Sequence, residues 1–152
     1  MNKNVVGYVR VSTERQEKKG MSIQNQTEKI KEYCSLMDLS LDEIIVEVKS
    51  GKDDNREGYN RILEMVKDKS INGVVVYSLS RWGRNITDNW NSISLMEKRN
   101  INFFSIKESI DTSNSMGRFF LNIINSNIVA RLLPSPKYCK IIVVTNCFFE
   151  LI

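Results

Sequence analysis

The run Gly73-Val74-Val75-Val76-Tyr77-Ser78-Leu79-Ser80-Arg81-Trp82-Gly83-Arg84-Asn85 changes character halfway. Its first half is a short apolar, β-branched stretch that opens on glycine. That is the pattern of a strand buried on both faces, as in the middle of a parallel sheet. Its second half is polar and carries two arginines just past the strand's carboxyl end, the end at which ligands of open α/β sheets sit.

The same alternation continues outward. Upstream, Tyr59, Ile62, Leu63 and Val66 recur at i, i+3, i+4 and i+7 and predict an amphipathic helix. Before it, Ile44 to Val48 predict a short strand, and the polar residues Ser50 to Asn55, with Gly51 among them, a loop. At the amino end, Val5 to Val11 predict a buried strand. Ser22 then caps a helix with Ile23, Thr27, Ile30, Cys34 and Met37 on one face. Downstream, Thr87 or Asp88 caps a helix carrying Trp90, Ile93 and Met96, and Ile101 to Ile106 predict a fourth strand. Met116 opens a further helix with Phe119, Phe120, Ile123 and Ile124 on one side. Strands alternating with helices of this length imply crossover connections. The fold class is therefore α/β, a central, mostly parallel sheet flanked by helices.

Composition narrows the chemistry. The 152 residues are 41% hydrophobic and 26% charged, as expected of one globular domain. The net charge is +4, but Arg131, Lys137 and Lys140 against Glu150 supply half of it from the last segment. Overall charge thus does not argue for nucleic acid; only the local clustering of arginines does. Histidine is absent, which excludes a Ser-His-Asp triad and a Cys-His pair. Cys34 is remote in sequence from Cys139 and Cys147, so neither a CxxC pair nor a common zinc site is expected. The odd cysteine count and the lack of a signal peptide predict free thiols in a reducing cytosol. No stretch is long and apolar enough to span a membrane as a helix.

Three clusters carry candidate chemistry. Arg10 and Ser12 lie on one side of the first strand by its period of two, with Ser12 at the carboxyl end, where a hydroxyl nucleophile is held rigidly beside a cleft. A guanidinium next to an attacking hydroxyl suits a phosphate target, since it binds phosphate oxygens in pairs and keeps its charge. On local sequence alone, Ser12 reads first as a strand-end, helix-capping serine. Arg81 and Arg84 form the second cluster, sharing a face if the segment there is helical; the alternative is a solvated basic turn. Arg56 is the third, at a helix start, where its charge opposes the helix dipole.

Taken together, YVRVST at 8–13 with Gln16, NREGYNRIL at 55–63, VVVYSLSRWGRN at 74–85 and MGRFFLNI at 116–123 resemble the catalytic domain of serine recombinases, the resolvase and invertase family that includes the large serine integrases. The resemblance covers about residues 4 to 125 and leans toward the large type. It implies that Ser12 attacks a DNA phosphodiester to form a 5′-phosphoserine link, with Arg10, Arg56, Arg81 and Arg84 around the reacting phosphate and Gln16, Gln24 and Ser80 accessory to it. It implies DNA as partner, homodimers or tetramers as in the intact family, and neither metal, cofactor nor small-molecule substrate. Two departures stand out. Many relatives have aspartate where this chain has Ser80, which removes a carboxylate from the region of Ser12. After Asn125 the resemblance ends: the family's helix continues as a long charged one, whereas Pro134 and Pro136 stop it here. Residues 1–125 are accordingly read as the catalytic domain and 126–152 as an atypical tail of a truncated chain, whose activity is open. The rival is a non-catalytic module that pairs with, and interferes with, a full-length recombinase. A nucleotide-binding flavodoxin-like domain ranks lower, because Gly51-Lys52 is followed by Asp53 and no GxGxxG is present.

Overall fold

A computed structural model of the chain describes residues 4–12, 22–49, 56–119 and 121. Its elements are β1 (Asn4–Ser12), α1 (Ile23–Leu36), β2 (Ser40–Lys49), α2 (Glu57–Lys67), β3 (Gly73–Val76), α3 (Leu79–Trp82), α4 (Ile86–Lys98), β4 (Asn102–Ser105) and β5 (Ile110–Asp111). The sheet order is β2-β1-β3-β4-β5, with β5 antiparallel to β4 and every other pair parallel. The expected mostly parallel α/β sheet is therefore what forms, and Gly73–Val76 is its central strand.

Side chains alternate across the sheet and build two cores. Val5 and Val9 of β1, Val75 and Phe104 pack with Ile30 and Cys34 of α1. Val6 and Tyr8, Val74, Val76 and Phe103 pack on the opposite face with Ile62 and Val66 of α2 and Ile93 and Met96 of α4. Gly7 lets α1 come close: a Cβ there would lie 3.0 Å from both Ile30 Cγ2 and Ile44 Cγ1.

Several local readings change. β2 is longer than the expected five residues and starts at Ser40. It is an edge strand, so Asp42 lies exposed and Glu43 half-buried within it. The cap of α4 is Asn85, whose side chain accepts from the Asp88 N–H at 2.8 Å, rather than Thr87 or Asp88. On α1, Ser22 caps as expected, accepting from the Asn25 N–H at 3.1 Å. Met37 ends that helix exposed, and Gln26 takes an inward position with Ile30 and Cys34. The helical turn expected to open at Met116 starts at 115, with the Asn114 side chain accepting from the Gly117 N–H at 2.8 Å. Phe119 there is 58% exposed; Phe120, Ile123, Ile124 and the 126–152 tail lie outside the described residues.

Strand order reverses at β1, since β2 lies on one side of it and β3 on the other. A crevice forms at such a switch point, outside the carboxyl ends of the strands. β3 pairs with β1 only as far as Tyr8–Val76, whereas β1 runs on beside β2 to the Ser12–Lys49 pair. Beyond Val76, α3 takes the place of β3 along that edge of β1, and the candidate residues gather there.

Candidate active site at the carboxyl ends of β1 and β3

α3 is a single turn, so its carbonyls find few partners within the helix. Side chains from three other elements supply the donors. The Arg10 guanidinium donates through Nη2 to the Ser80 carbonyl at 2.7 Å and through Nε to the Arg81 carbonyl at 3.2 Å. Arg56 Nη2 donates to the Trp82 carbonyl. Asn89 Nδ2 donates to the Leu79 carbonyl at 3.2 Å. Positive charge at a helix carboxyl end is favourable, so two arginines converge on one short element.

Arg56 explains its own odd position. It is the residue before α2 and makes no side-chain cap for that helix. Instead its guanidinium lies over the Tyr59 ring, 3.7 Å from the centroid, and donates to the Tyr8 hydroxyl at 3.3 Å. Its buried Nε has no hydrogen-bond partner. The Tyr8 hydroxyl in turn donates to Glu47, a residue level with Arg10 on the neighbouring strand. Burial raises the Tyr8 phenol above its usual range, with Arg56 opposing and Glu47 adding to the rise, so it stays protonated and can donate. Burial lowers Arg10 from its ordinary value; Tyr8 and Glu47 oppose that, while Arg56 and Arg81 deepen it.

Below the arginines lies an aromatic stack. The Trp82 ring sits 5.3 Å from Tyr8, 4.7 Å from Tyr59 and 5.7 Å from Phe103, and its indole N–H donates to Ser92 at 2.7 Å. Gly83 packs closely on α4: a Cβ there would lie 2.1 Å from Asn89 Oδ1 and 3.1 Å from the Asn89 backbone nitrogen. Trp82 and Gly83 thus sit between the arginines for packing reasons.

The structure treats the predicted site residues unequally. Arg10, Arg56, Ser80 and Arg81 come together around α3. Arg81 and Arg84 do not share a helical face, because α3 ends at Trp82 and Gly83 is extended (φ −101°, ψ 173°). Arg84 instead lines a groove of about 440 Å³ between α2 and α4 with Arg56, Asn60 and Asp88. The Ser80 hydroxyl pairs with that of Ser78 at 3.0 Å. Gln24 is exposed at the start of α1, the helix on the opposite face from α2 and α4, and no hydrogen bond joins it to the arginines. The Ser12 backbone ends β1 beside Lys49, and Gln16 lies outside the described residues. Tyr8 and Glu47 were not singled out from sequence. Tyr8 reads there as one more apolar strand residue, and the contact with Glu47 links positions 39 apart. Among the described residues no cluster of metal-ligating side chains occurs, and no helix is long and apolar enough to cross a membrane.

Comparisons with known proteins show the family and the fold. The family model described as the resolvase N-terminal domain matches residues 5–128. The DNA-invertase hin of Salmonella typhimurium is 34% identical over 121 residues, 80% of this chain and 57% of that protein. The chain thus spans little more than half the length of such relatives. Among solved structures, the N-terminal catalytic domain of TP901-1 integrase superposes with a TM-score of 0.76 at 32% identity, covering 88% of this chain and all of that one. A resolvase-family site-specific recombinase from Streptococcus pneumoniae, 22% identical, shares the fold with a TM-score of 0.71 over 97% of both chains. With a family model over most of its length and a fold shared with that catalytic domain, this chain belongs to the resolvase family of serine recombinases.

Proposed function

We propose that the chain acts in site-specific DNA recombination, cleaving and rejoining strands with Ser12 as nucleophile, and that residues 1–125 are the catalytic unit. The Ser12 oxygen attacks a backbone phosphorus and gives up its proton. The bond from phosphorus to the 3′ oxygen breaks, leaving a 5′-phosphoserine link and a free 3′ hydroxyl. Attack by a 3′ hydroxyl on that link reverses the step and reseals a strand, so no net bond energy is spent and no cofactor is called for.

The observation that carries this reading is the convergence of Arg10 and Arg56 on α3, beside the carboxyl end of the strand that ends at Ser12. A transferring phosphoryl group spreads negative charge over its oxygens, and fixed guanidinium donors stabilise that charge. Arg10 keeps donors beyond the two used on α3. In this reading Arg81 and Arg84 extend the positive surface along the bound strand, Ser80 supports α3, and Gln16 and Gln24 are accessory. DNA is the partner, and further copies of the protein bring strands together for exchange.

The test fuses the full chain to a DNA-binding module of known site and offers duplexes with that site flanking randomised sequence. A covalent protein–DNA species surviving denaturation, lost in Ser12→Ala, is the expected result. No adduct from the unsubstituted chain, or an equal amount from Ser12→Ala, overturns the assignment.

A further inference from the structure

A one-turn helix cannot position itself. The ends of α3 are joined to its flanks by the Arg81 N–H to Ser78 carbonyl bond at 2.9 Å and the Gly83 N–H to Leu79 carbonyl bond at 3.4 Å. Its carbonyls are held by Arg10 at Ser80 and Arg81, by Arg56 at Trp82 and by Asn89 at Leu79, and the two arginines belong to the proposed phosphate site. Any group that holds its amino end therefore also decides where the arginines' partners stand.

That group comes from elsewhere in the chain. Ser78 precedes α3 with an extended backbone but makes no side-chain cap; its hydroxyl turns to Ser80. The Leu79 N–H instead donates to Glu108 Oε2 at 3.1 Å, a carboxylate from the turn between β4 and β5. The same oxygen accepts the hydroxyl of buried Ser105, the last residue of β4. The turn is itself fixed to the end of β3. The Ile106 N–H donates to the Val76 carbonyl at 3.1 Å and the Lys107 N–H to the Tyr77 carbonyl at 2.9 Å. Glu108 is thus a strut from a rigid turn to the amino end of α3, where a carboxylate is favourable.

We propose that Glu108 is a positioning residue for the arginine site. It does not touch the reacting phosphate. It fixes α3, and through α3 the Ser80 and Arg81 carbonyls that hold Arg10. The inference rests on the function proposed above, and the experiment separates the two.

Hydrogen exchange on the full chain tests the strut without any activity. In Glu108→Ala, amides of residues 79–83 exchange about tenfold to a hundredfold faster than in the unsubstituted chain, as loss of a bond to a charged acceptor implies, while β1 and β3 amides keep their protection. Glu108→Gln, which retains an acceptor oxygen, restores most of the difference. In the fused protein, Glu108→Ala slows formation of the Ser12 adduct at saturating DNA and leaves DNA affinity unchanged, and Glu108→Gln recovers most of the rate. Unchanged exchange at 79–83, or an unchanged adduct rate in a system where the unsubstituted protein reacts, overturns the proposal. If the unsubstituted protein forms no adduct, the function reading fails and exchange alone decides on Glu108. If Glu108→Ala does not fold, the Leu79 amide of the unsubstituted chain decides: slow exchange upholds the strut, and the rate of an unbonded amide overturns it.

Discussion

The two faces of β1 do different work with the same backbone. Val5, Gly7 and Val9 face α1 through aliphatic contacts, and a Cβ at Gly7 would press on Ile30 and Ile44 at 3.0 Å. Val6, Tyr8 and Arg10 alternate with them and change character along the strand, from aliphatic to aromatic to charged. The first face ends in core. The second grades through Trp82, Tyr8 and Tyr59 into guanidinium groups. Stability and chemistry should therefore separate on the α1 face and be entangled on the other.

The largest effect is expected where they are entangled. Trp82→Ala removes the centre of the aromatic stack and the indole bond to Ser92, so urea denaturation should show a loss of about 3–5 kcal/mol, together with loss of the Ser12 adduct. Arg10→Ala should lower adduct formation by roughly a hundredfold or more and lower the denaturation midpoint as well, though less than Trp82→Ala, because the Ser80 and Arg81 carbonyls lose their donor. Arg56→Lys should also be poorly active, because a lysine cannot lay a flat guanidinium on the Tyr59 ring while one nitrogen reaches both the Trp82 carbonyl and the Tyr8 hydroxyl.

Gly7→Ala sharpens the contrast from the other face. Overpacking against Ile30 and Ile44 should cost about 1–3 kcal/mol, with the adduct rate at saturating DNA unchanged below the melting range. A rate loss comparable to that of Arg10→Ala would break the distinction between the faces. The smallest effect concerns Cys34, also on the α1 face. Burial pushes its thiol up to about 11, above the ordinary value near 9. Below that ordinary value the thiol is neutral in both states. As pH rises from about 9 toward 11 it ionises only when unfolded, so folding stability falls across that window. Melting temperatures over this range should drop less steeply in Cys34→Ala than in the parent chain.

Much of the fold is legible in the residue pattern, and the reasons are physical. β3 announces itself because it is buried on both faces and needs apolar residues throughout. The Ile62–Val66 stripe and the Ser22 cap work the same way, each set by local periodicity or a single capping bond. The start of β2 is hidden because an edge strand tolerates Asp42 and Glu43. The α4 cap falls two or three positions before the expected Thr87 or Asp88, because several residues able to cap adjoin there and it is Asn85 whose side chain accepts from the Asp88 N–H. α3 and β5 are too short to show any period. Arg10 and Ser12 are readable as a pair from strand alternation. The roles of Tyr8, Glu47 and Glu108 are not, since each depends on contacts between distant segments.

The central claim is that Ser12, at the carboxyl end of β1, becomes bonded to DNA. Mass spectrometry of the denatured, nuclease-trimmed product from the fused protein tests it most directly. The account predicts a nucleotide mass attached through phosphate to the peptide containing Ser12, absent in Ser12→Ala and strongly reduced in Arg10→Ala. A nucleotide found on another residue, or none on any peptide, would contradict it.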